Sequence, residues 1–152
     1  MKKLSVLFII GIISLASTVK AGVPDYIVTE EGVKFYERVR YGITANIVGV
    51  SESGRDCYAA NEVIAYRRNG RIYERMPVIR DNSETGRYDF MEVMAYRCGM
   101  KVYRHNIPAG LNMPDNNEYL VFRDGKFVVR FDEKNIKTLN EFFFTNNSLA
   151  SK

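Results

Sequence analysis

The chain has 152 residues, 46% of them apolar, with 22 Lys+Arg against 18 Asp+Glu and a formal charge of +4. This size and apolar content fit one ordinary domain with a real core and exclude a disordered chain. Residues 1–21 hold Lys2, Lys3 and Lys20 but no acid, so the remainder carries 19 basic and 18 acidic side chains, about +1. Net charge on that part therefore argues for neither nucleic acid nor a membrane surface as partner.

Residues 1–21 read as a secretory signal. Lys2 and Lys3 form a positive start and Leu4–Ala16 an apolar run of 13 residues, short for a membrane span. Val19 and Ala21 occupy the small-residue positions of a cleavage site. The alternative is an uncleaved anchor. The signal predicts a periplasmic or secreted protein, with no membrane span after cleavage. In an oxidising compartment Cys57 and Cys98, the two cysteines of the chain, would form a disulfide closing a loop of about 40 residues; two unpaired thiols are the alternative. With a single His, this is a poor zinc-ligand set. No metal and no cofactor are expected.

From residue 22 to 144 the pattern predicts one mainly β domain, followed by a flexible tail over 145–152. Strands are expected near 24–29, 33–49, 56–67, 71–79, 87–97, 101–106, 118–123 and 126–131. Over 33–49 the alternation, interrupted only by Glu37, places Val33, Phe35, Val39, Tyr41 and Ile47 on one face and Lys34, Tyr36, Arg38 and Arg40 on the other, as one long strand or two strands joined at a bend near Gly42. Glu62-Val-Ile-Ala-Tyr-Arg67 recurs as Glu92-Val-Met-Ala-Tyr-Arg97 and more loosely as Glu118-Tyr-Leu-Val-Phe-Arg123. Each copy runs into a turn. Asn69-Gly70 and Asp124-Gly125 suit type I′ hairpins, with Phe122 facing Phe127. Cys98-Gly99 suggests a three-residue variant. Asp132 is placed to cap a helix over 133–144 whose apolar face includes Ile136, Leu139 and Phe143. The expected architecture is an antiparallel meander of about eight strands, forming a small barrel or a curved sheet, with one C-terminal helix. Lipocalin-like barrels share this plan, but their Gly-x-Trp signature is impossible in a chain without Trp.

No nucleophile–base pair stands out. His105 reads as a strand-end surface residue, and the acids fall mostly in solvated turns. Gly-x-x-x-x-Gly-Lys is absent. The hairpin tips say more. In a meander alternate turns share one end, which would gather Arg67, Arg68, Arg71, Arg97, Lys101, Arg123 and Lys126 against the single acid Asp124. Glu52, Asp56, Asp81, Glu84, Asp89, Asp115 and Glu118 would gather at the other end. An Arg-rich rim of this kind holds carboxylate, sulfate or phosphate groups. A solvated face of no consequence is the alternative. The repeated Tyr66 and Tyr96 are read first as packing residues and second as sugar-stacking platforms.

The segments Ala65-Tyr-Arg-Arg-Asn-Gly-Arg-Ile-Tyr-Glu-Arg-Met-Pro-Val78 and Phe90-Met-Glu-Val-Met-Ala-Tyr-Arg-Cys-Gly-Met-Lys-Val-Tyr103 resemble small exported Bacteroidetes-type proteins of unknown function. That resemblance implies a compact secreted domain and carries no activity. Ser51-Glu-Ser-Gly-Arg55, followed by Cys57-Tyr58, is similar to the enzyme-facing loop of periplasmic lysozyme inhibitors. Three functions follow. The first is a non-catalytic exported domain, structural or binding an anionic glycan or a secreted protein at the Arg rim. The second is an inhibitor of a secreted hydrolase, with the Ser51–Arg55 loop protruding. The third is a hydrolase using paired carboxylates.

Overall fold

A computed structural model describes residues 23–42, 46–107 and 116–145. The expected signal, the tail from 146 onward and most of the loop after Ile107 lie outside the described residues. The chain divides into two compact units, with the boundary between Ile72 and Tyr73.

The strands are β1 (Asp25–Thr29), β2 (Gly32–Tyr36), β3 (Arg38–Tyr41), β4 (Ile47–Ser51), β5 (Gly54–Tyr58), β6 (Val63–Arg68), β7 (Arg71–Arg80), β8 (Ser83–Arg97), β9 (Met100–Ile107), β10 (Asn116–Arg123) and β11 (Lys126–Asp132). A 3₁₀ turn over Glu133–Asn135 leads into a helix, α1 (Ile136–Thr145). Eight strands form one sheet in the order β2-β1-β6-β7-β8-β9-β10-β11, and β3-β4-β5 form a second, smaller sheet. The large sheet is open, with β2 and β11 as its edges, so a closed barrel is excluded.

In the first unit β1 lies between β2 and β6. Tyr26, Val28 and Ala65 form a core cluster flanked by Val33 and Ile64. The expected long strand over 33–49 breaks at Glu37, whose N–H donates to the Val50 carbonyl at 3.1 Å. There the chain leaves β2 and enters β3, which pairs with β4. Around the break the burial departs from the alternation: Phe35, paired with Tyr26, is 56% exposed whereas Tyr36 is buried. Gly49 makes room for Tyr36, since a Cβ there would lie 2.4 Å from the ring.

In the second unit the meander follows the sequence. Cys98-Gly99 is a two-residue turn like Asn69-Gly70 and Asp124-Gly125, not a three-residue one, because Cys98 accepts φ 50° and Gly99 φ 77°. Asp81-Asn82 makes a fourth such turn, with φ of 51° and 60°, so β8 starts at Ser83 rather than near 87. β10 has five consecutive buried residues, Glu118 to Phe122, because both of its faces are covered. On one face Tyr119 and Val121 pack with Met100, Val102 and Leu139 of α1. On the other, Leu120 and Phe122 pack with Ile79, Met91 and Tyr103. Burying a Leu or Phe of this kind is worth about 1.5–3 kcal/mol. Phe122 faces Phe127 as expected, with the rings edge-on at 5.8 Å. Asp132 stands before the 3₁₀ turn but makes no side-chain cap bond. The helix buries Leu139 and places Phe142 5.7 Å from Phe131, while Ile136 is exposed.

Candidate functional site

Ionisable side chains follow the strand register. Along β9 Lys101, Tyr103 and His105 share one face, the face of the Tyr103–Leu120 cluster. Three acids meet them there. Glu74 is buried; its carboxylate accepts from Lys101 Nζ at 2.8 and 2.9 Å and from the Tyr103 hydroxyl at 2.5 Å. Burial, and then the Glu74 charge, push the Tyr103 phenol well above its ordinary pKa.

His105 is buried, not a surface residue. Its register partner on β10 is Glu118, and its Nδ1 lies 2.8 Å from Glu118 Oε1. Its Nε2 lies 3.1 Å from Asp89 Oδ2. Arg130 stands 3.6 Å from the other Glu118 oxygen. Burial opposes the imidazolium, but the hydrogen bonds and charges of Asp89 and Glu118 outweigh it and lift the pKa to about 9. Burial works against the Asp89 carboxylate too, but the His105 hydrogen bond prevails and holds it below its ordinary range. Asp89 and Glu118 were expected among solvated loop acids; strand register instead pairs them with the one His. With both ring nitrogens donating to carboxylates, His105 offers no lone pair to a substrate proton. The cluster joins β8, β9 and β10 through their side chains.

A third cluster lies in the first unit. The Tyr36 hydroxyl contacts Asp56 at 2.8 Å and the Tyr58 hydroxyl at 2.6 Å, and Lys34 pairs with the same carboxylate. Buried Asp25 accepts from the backbone N–H of Val39 and of Asn69, each at 3.0 Å. It fixes β3 and the β6–β7 turn to the first strand. Sequence reading missed Asp25 and Glu74: a lone acid within a strand pattern carries no sign of its partners.

Arg67, Arg68 and Arg71 flank the Asn69-Gly70 turn of the first unit, where Arg67 is engaged by the carbonyls of Val23 and Pro24. Lys101 faces inward onto Glu74. Arg97, Arg123 and Lys126 come together. Arg97 pairs with Met100, Met100 with Arg123, and Arg123 with Lys126. These four residues form one row across β8, β9, β10 and β11, and directly paired residues share a sheet face. The three cations are exposed. Arg123 rests on the Met100 sulfur at 3.2 Å, and the adjoining tips are joined by Asp124 N–H to the Gly99 carbonyl at 3.0 Å. Neighbouring strands are about 4.8 Å apart, so the row presents three positive groups on a short, rigid line.

The expected bridge between Cys57 and Cys98 is not formed: both thiols are unbonded and exposed. Cys98 occupies a left-handed turn position and Cys57 the solvent side of β5, and the two belong to different units. The copies of the repeat also differ, since Tyr66 is buried whereas Tyr96 is 52% exposed. Ser51–Arg55 forms a tight β4–β5 turn with Ser51 opposite Gly54. Among the described residues, no set of three or more His, Cys, Asp or Glu is grouped to hold a metal ion, and no helix is long and apolar enough to cross a membrane. No protein-family model, no curated protein and no solved structure matches this chain.

Proposed function

We propose that the chain is an exported, non-catalytic β-domain that binds anionic glycans through the Arg97–Arg123–Lys126 row. The observation behind this reading is the register itself. Three cations from three hairpin strands stand in one row at the rim of a packed sheet, Arg123 beside Lys126 and Arg97 one strand beyond across Met100, and Arg guanidinium groups are suited to sulfate and carboxylate. The signal-like residues 1–21 support export. The deeper ionisable groups, His105 and Glu74, are occupied in holding strands together.

A line of cations favours a polyanion over a single anion, because each exposed contact is worth little alone and several act together. The test is retention on a sulfated-polysaccharide resin. Arg97→Ala, Arg123→Ala and Lys126→Ala combined should lower the salt needed for elution at least twofold and leave the melting temperature unchanged. Elution of the triple variant at the salt of the natural chain would refute the row as the binding site.

A further inference from the structure

A different surface lies in the first unit, where the chain passes from β2 into β3. A shallow hollow of about 450 Å³ opens at this corner, lined by Pro24, Phe35, Tyr36, Glu37, Ser51, Glu52 and Ser53. The break at Glu37 creates it. The break turns Tyr36 inward over Gly49 and leaves Phe35 outside, 56% exposed, with its ring edge-on to Tyr26 at 6.2 Å. The β4–β5 turn forms the opposite wall.

The lining has a definite chemistry: an exposed aromatic ring and a proline, two serines, two glutamates and no cation. Neither Glu37 nor Glu52 forms an ion pair among the described residues. Such a hollow is complementary to a flat, weakly hydrated cation that can lie on a ring while donating to a carboxylate. A guanidinium does both. The hollow is too open to enclose most of a free small molecule, as small-ligand sites do. It suits a side chain delivered from a larger body. We propose that it receives an arginine side chain of a partner protein.

The test uses Nα-acetyl-arginine methylamide as probe and backbone amide shifts of the purified protein as readout. Saturable shifts are expected at Phe35, Glu37 and Ser51–Gly54, with none from the isosteric citrulline analogue. Glu37→Gln with Glu52→Gln should weaken the response at least fivefold, and Phe35→Ala should weaken it separately, with both spectra otherwise as dispersed as the natural one. An equal response to citrulline would show a site that does not read charge and would overturn the proposal. So would the absence of localised shifts at about 20 mM probe, a concentration at which even millimolar affinities register. An undiminished response in the double glutamine variant would overturn it as well.

Discussion

His105 shows how one residue ties three strands together. Its imidazolium links Asp89 of β8 and Glu118 of β10 across β9. The pKa is about 9 in the fold against 6.5 ordinarily, so proton binding stabilises the folded state. That contribution is complete below pH 6.5 and is lost as pH rises through 9. Asp89 acts in the opposite direction: its lowered pKa adds stability above the ordinary 3.8, which is lost as pH falls. Denaturant unfolding should therefore show stability falling by about 3 kcal/mol from pH 6 to pH 10 in the natural chain. His105→Gln should flatten that slope and cost about 3 kcal/mol at pH 6, since it removes the cation shared by Asp89 and Glu118 and leaves Glu118 only the longer Arg130 pair. An unchanged slope in the variant would show that the cluster is not the titrating group. Gly49 is the second residue of consequence. Gly49→Ala must displace the Tyr36 ring and should cost about 1–3 kcal/mol in thermal or denaturant unfolding.

At the scale of elements the turns decide the architecture. Each of the four hairpin turns from Asn69 to Gly125 places two successive residues at positive φ, which matches the right-handed twist of the strands. Cys98 is the unusual occupant, and Cys98→Asn should raise stability by about 0.5 kcal/mol because Asn tolerates this conformation better. The same variant checks the unbridged state: a large loss of stability under oxidising conditions would mean that Cys98 is covalently engaged.

The Asn-Gly and Asp-Gly signals and the alternation around them were legible, and they gave most of the meander and the Phe122–Phe127 pair. Cys98-Gly99 and Asp81-Asn82 were not read as two-residue turns, because Cys and Asp-Asn seldom mark them. The exposure of Phe35 and the burial of Tyr36 escaped as well. Alternation assigns residues to two faces, but only the partner strand says which face is inside. Glu37 interrupts the apolar parity of 33–49, but nothing local says that the chain passes to another sheet there. The helix was placed correctly, yet its buried side runs through Leu139 and Phe142 because β11 presents Phe131 to it.

For the whole molecule, composition said little and distribution says more. A charge of about +1 outside the signal-like segment conceals a cationic row in one unit and an uncompensated acidic hollow in the other. The sequence pattern gathers seven bases at one rim because alternate turns of a meander share one end. Register keeps Arg97, Arg123 and Lys126 together, while Glu74 removes Lys101, a pairing between residues 27 positions apart that only the folded sheet creates. The row stands on rigid strands rather than on a loop, so its binding should be electrostatic and steeply weakened by salt, with little structural response. The most direct measurement is amide-shift mapping of the purified protein with a sulfated oligosaccharide and its unsulfated counterpart. The account predicts shifts confined to Arg97–Met100 and Arg123–Lys126 that appear only with the sulfated ligand. Shifts centred elsewhere, or equal shifts with the neutral sugar, would contradict it.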